Sequence, residues 1–158
     1  MLRSTRLFAW MFAATGCCAA NVFAEPARLA VASDVRLSRR GDNVSLTPLK
    51  GPSRSDQHCD RISLVLHGVR HRQEEAETVR IILRHGKSAG ESLGTFTVMD
   101  SQSAGGRRVS FLVRTSPSGL ILEALGKGRS IDLSFKRPRG KSDMNISAVE
   151  LWCLQVDK

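Results

Sequence analysis

From residue 61 onward, apolar and polar residues alternate with a period of two. Strands with one buried and one solvated face satisfy that pattern, and amphipathic helices do not. In Arg61-Ile62-Ser63-Leu64-Val65-Leu66, the side chains of Ile62, Leu64 and Leu66 fall on one face, and Val79, Ile81 and Leu83 repeat the arrangement. Phe96 and Val98 mark a third run, Val109, Phe111 and Val113 a fourth, and Ile131, Leu133 and Phe135 a fifth. In the last segment Ile146, Ala148, Trp152, Leu154 and Val156 share one parity, with Glu150 as the exception. Weaker strand signals at 29–37 and 44–49 complete about seven to eight strands. The fold class predicted is all-β, an antiparallel β-sandwich.

One short helix interrupts the strands. Ser116 suits an N-cap, Pro117 a first helical position, and Gly126 the left-handed residue that ends a helix. Leu120, Ile121 and Leu125 would then cover an edge of the core.

The N-terminus reads as an address. Arg3 and Arg6 precede an apolar stretch from Leu7 to Ala14, and small residues lead to Val22-Phe23-Ala24, which is the order of a secretory signal peptide cleaved after Ala24. The apolar run is shorter than the roughly 20 residues a bilayer span needs, so no transmembrane anchor is expected. An alternative takes Ala14-Thr15-Gly16-Cys17 as a lipoprotein cleavage site, with Ala14 where Leu is usual. The organisation predicted is a signal peptide over 1–24, N-terminal strands and a loop over 25–60, and the main sandwich over 61–158, with 25–158 forming one domain. The location predicted is periplasmic or extracellular.

Removing the leader takes Arg3 and Arg6 from the 24 basic residues and none of the 15 acids, so the formal net charge falls from +9 to +7. Of four cysteines, Cys17 and Cys18 leave with the leader and Cys59 and Cys153 remain. Two cysteines in an exported chain predict a disulfide, the alternative being two buried thiols that never meet. Closing a loop of this length stabilises on the order of 4 to 5 kcal/mol in the chain-entropy model.

Residues that carry chemistry are sparse. The mature histidines are His58, His67, His71 and His85. His67 and His71, four apart in a strand-like stretch, fall on one strand face, and with His85 they form a candidate copper or zinc site set against ordinary surface histidines. Glu74, Glu75 and Glu77 read as a solvated turn. No phosphate-binding Gly-rich loop precedes a helix. No catalytic residue is predicted and the chain is expected not to be an enzyme. Basic residues gather at Arg39 and Arg40, at Arg70 and Arg72, and at Lys136, Arg137, Arg139 and Lys141, a candidate patch for an acidic protein, an anionic glycan or an envelope surface. Export and the absence of Tyr speak against nucleic acid as a partner. Asn43-Val44-Ser45 and Asn145-Ile146-Ser147 match a glycosylation pattern that matters only in a eukaryotic secretory pathway.

The stretch from Arg61 to Trp152 resembles the C-terminal β-sandwich domain that follows the dicopper domain of plant polyphenol oxidases and related tyrosinases. The likeness is carried in order by Val79-Arg80-Ile81-Ile82-Leu83, Gly94-Thr95-Phe96-Thr97-Val98, Gly119-Leu120-Ile121-Leu122-Glu123-Ala124-Leu125-Gly126, the basic strand end from Ile131 to Arg139, and Ile146-Ser147-Ala148-Val149-Glu150-Leu151. The resemblance implies a non-catalytic cover over a copper site that belongs to another domain. The histidine pattern of that copper site has no counterpart in this chain, so no cofactor is implied, and copper enters only through a partner enzyme or a weak histidine site. Three readings follow: a module that shields or matures a tyrosinase-type copper oxidase in trans, a binder of an anionic glycan or envelope surface, and a small periplasmic metal-binding protein.

Overall fold

A computed structural model describes residues 26–49, 59–71, 76–84, 90–99 and 106–155. The signal-peptide reading and the residues His58, Arg72, Glu74, Glu75, His85 and Val156 lie outside them. The elements run β1 (Ala27–Leu37), β2 (Gly41–Pro48), β3 (Arg61–His71), β4 (Glu77–Arg84), β5 (Glu91–Val98), β6 (Arg107–Leu112), α1 (Thr115–Gly126), β7 (Ile131–Lys136) and β8 (Met144–Leu154). All strand pairs are antiparallel, in the order β5-β4-β7-β2-β1-β8-β3-β6, so the fold is all-β with one short helix.

Two walls enclose the core. One is β1, β8, β3 and β6; the other is β2, β7, β4 and β5. They join where β1 meets β2 through Ala30 opposite Pro48 and Val31 opposite Thr47. On the other side β5 and β6 come together through side chains, with the Phe96 and Phe111 rings 6.0 Å apart between centroids. The result is a flattened, nearly closed barrel. Gly41, at φ 94°, turns the chain from β1 into β2, and a Cβ there would collide with the Phe135 carbonyl oxygen.

The alternation seen in the sequence becomes the core: Leu64, Leu66, Ile81, Leu133, Phe135 and Leu151 are fully enclosed. The final strand departs from expectation. Its core residues are Met144 and Ile146, then Val149, Leu151 and Cys153, whereas Trp152 lies half-buried on the outside. The face changes between Ile146 and Val149, an interval of three residues. Its neighbours do the same at the same level, β3 between Leu66 and Val69 and β1 between Ala32 and Val35. Gly68 at φ 59° in β3 and Asp34 at φ 52° in β1 take left-handed backbone at this step. The three strands bend together and stay in register, with His67 opposite Ala148 and Arg70 opposite Asn145 across the bend.

The helix closes one end of the barrel, burying Pro117, Ile121 and Leu125. Its cap is Arg114, not Ser116, whose hydroxyl instead donates to the Glu91 carboxylate; the left-handed residue after it is Gly128, not Gly126. The Cys59–Cys153 disulfide lies at the same end, its Cα atoms 5.5 Å apart, and ties the entry to β3 to β8. No helix among the described residues is long and apolar enough to cross a membrane.

Candidate functional site

At the end opposite the helix, the wall carries a buried charge cluster. Glu77 opens β4 on the same parity as Val79 and Ile81, and Arg137 follows β7 on the parity of Leu133 and Phe135, so both side chains point inward. The Arg137 guanidinium donates from Nε and Nη2 to the two Glu77 carboxylate oxygens, at 2.6 Å each. Its Nη1 donates to the carbonyls of Leu37 and Ser38, and Nη2 also to that of Ser142, at 3.0, 2.7 and 2.7 Å. His71 Nε2 sits 2.6 Å from Glu77 Oε2 with its side chain wholly buried. A charge removed from water needs this density of partners to be tolerated. Here it anchors the 38–41 turn to the core.

Three expectations change on this geometry. Glu77 is a buried strand residue rather than part of a solvated turn. Arg137 is 2% exposed and already paired, so it does not belong to the surface patch. His67 and His71 do not share a face, because the three-residue step at Gly68 lies between them.

His67 points outward into a second cluster around Glu150. Arg28 Nη1 donates to Glu150 Oε1 at 2.8 Å, Trp152 Nε1 donates to Oε2 at 2.9 Å, and His67 Nε2 lies 2.9 Å from that same oxygen. Partial burial pushes the Glu150 carboxyl upward, but the contacts from Arg28, Trp152 and His67 outweigh it and hold the group below its ordinary range. Both described histidines thus face carboxylates. Among the described residues no group of three or more His, Cys, Asp or Glu is placed to hold a metal ion.

Of the other patch residues singled out in the sequence, the described ones, Arg39, Arg40, Arg70, Lys136, Arg139 and Lys141, are exposed on the surface. Two clefts flank the Arg39-Arg40 turn there. One, of about 510 Å³, is lined by Arg36, Arg39, Arg70, Ser142, Asp143 and Asn145, with Arg36 paired to Asp143. The other, of about 530 Å³, lies on the outer face of β4, β5 and β7 and includes Arg40, Lys136 and Arg80, the last not singled out in the sequence. Arg139 is exposed, as is Lys141. The signal for Arg80 was its parity, opposite to Val79 and Ile81 and therefore outward.

No protein family's sequence pattern matches the chain, and comparison with curated proteins returns no similar sequence. Comparison of folds does find likeness. A recombinantly expressed latent aurone synthase (polyphenol oxidase), co-crystallised with hexatungstotellurate(VI), superimposes with a TM-score of 0.52 at 12% identity, over 79% of this chain and 26% of that one. Latent aurone synthase (polyphenol oxidase) from its natural source gives 0.51 at 13% identity over the same shares. The likeness is one of fold, and the chain spans about a quarter of the length of those enzymes.

Proposed function

We propose that this chain is a non-catalytic, exported interaction module that covers a tyrosinase- or polyphenol-oxidase-type copper enzyme, or assists its maturation, in trans. The observation that supports it is the correspondence between nearly the whole described barrel and a quarter of latent aurone synthase. A module of this size brings a rigid wall and a cationic end to a partner. Among the described residues its two histidines are engaged with Glu150 and Glu77. On this reading copper belongs to the partner and the chain holds none of its own.

The test mixes the purified protein with a polyphenol-oxidase-type enzyme from the same source and follows three readouts: co-elution, phenol oxidation and copper content. Co-elution with lowered oxidation is the expected result for a cover, and co-elution with raised copper content the result for a maturation partner. Separate elution with both enzyme properties unchanged sinks the proposal.

A further inference from the structure

The cleft on the outer face of β4, β5 and β7 combines features that a merely solvated surface does not require. Across the sheet, Thr95 stands opposite Arg80, Arg80 opposite Lys136, and Lys136 opposite Gly41, so that Arg40 adjoins the same row. Like charges directly opposite one another on a sheet destabilise it, and carboxylates usually intervene. Among the described residues no acidic side chain lines this cleft. Arg40, Arg80 and Lys136 are exposed, and among the described residues none of them pairs with a carboxylate. Arg137 also borders the cleft, but Glu77 neutralises it and its hydrogen bonds to the Leu37 and Ser38 carbonyls hold the turn that presents Arg40.

The cleft also carries apolar residues: Ile82 follows Arg80 on the outward parity of β4 and Pro138 follows Lys136 beyond the end of β7, with Thr78 and Thr95 also lining it. A bare inorganic anion would satisfy the charges and leave these apolar residues wet, whereas a neutral hydrophobe would leave the cations repelling one another. We infer that the cleft binds a small free organic acid, one acidic group joined to an apolar body of about one ring, with the acid between Arg80 and Lys136 and the body on the adjoining Ile82. The volume of about 530 Å³ is in the range of small-molecule sites. The inference stands apart from any protein partner, since it rests on this face alone.

The probe is anilinonaphthalene sulfonate, an aryl sulfonate whose fluorescence rises in apolar surroundings, titrated into the full-length protein. One saturable site is expected, displaced by benzoate at concentrations where inorganic sulfate and benzyl alcohol have little effect. An Arg80→Gln/Lys136→Gln double variant should weaken binding about tenfold or more, as loss of charge-assisted contacts requires. An Arg129→Gln variant at the helix end should bind as the parent does. Because all three positions are exposed, cooperative thermal unfolding of each variant verifies its fold, and benzoate should raise the melting temperature of the parent but not of the double variant. Equal displacement by sulfate would show that charge alone acts, and equal displacement by benzyl alcohol that the apolar contact alone acts; either result overturns the inference. So does undiminished binding by the folded double variant.

Discussion

Glu77 and Glu150 each meet one arginine and one histidine, and the two histidines are four residues apart on one strand, yet the clusters occupy opposite faces of the wall. Glu77, Arg137 and His71 are enclosed, and Arg137 also bonds three carbonyls. Glu150 lies on the outer face with its side chain 9% exposed, but its partners reach water there, the Arg28 side chain being 46% and the His67 side chain 36% exposed. Similar chemistry therefore has different consequences. Inside, every lost partner leaves a desolvated group, whereas outside, water replaces much of what is lost.

The sharpest way to break this contrast is Arg137→Met. It leaves the Glu77 carboxylate and three carbonyls without their donor, and it should cost about 3–5 kcal/mol in urea unfolding. A Glu77→Leu/Arg137→Met pair should recover much of that loss, because an apolar pair leaves no buried charge. A smaller effect is expected of Gly68→Ala, which sets a side chain at φ 59° and strains the step that sends His67 outward and His71 inward. It should cost about 1–2 kcal/mol by the same measurement.

Glu150→Gln should cost about 1 kcal/mol, since solvent already screens its arginine. If Glu150→Gln proved as costly as Arg137→Met, the contrast between inside and outside would be wrong. The smallest effect is one of pH. The folded Glu150 carboxyl is held below its ordinary value, so its contribution is complete above the unfolded value of about 4.3 and is lost as pH falls through the lower, folded one. The difference in melting temperature between the parent and Glu150→Gln should therefore be level from neutral pH to about pH 5 and shrink below that.

The contrast also marks what the sequence could disclose. Ile62, Leu64 and Leu66, or Val79, Ile81 and Leu83, announce their face because every second residue is apolar. The disulfide was legible from two cysteines in a chain read as exported. The switch of face on β8 was not, because Ser147 and Ala148 are tolerated on either side of a sheet and nothing local marks a three-residue step. Trp152 was therefore placed inward, and His67 was placed on the face of His71. Glu77 and Arg137 left a signal that charge obscured: each extends the inward parity of its strand by one more position. A charged residue at a strand end is ordinarily solvated, and only the pairing of β4 with β7 brings these two ends together. The acid-binding cleft was half visible. Lys136 and Arg40 stood out in a basic run, while Arg80 and Ile82 become its neighbours only through the strand order.

The place of β8 sets the timing of folding. It lies between β1 and β3, pairing with both along most of its length, so the centre of that wall is supplied by a strand that follows all the other described strands in chain order. Until it is made, β1 and β3 have no partner between them, and the β3–β6 pair has no sheet to join. A chain truncated before Met144 should be digested by protease as an unfolded polymer, whereas the full chain resists.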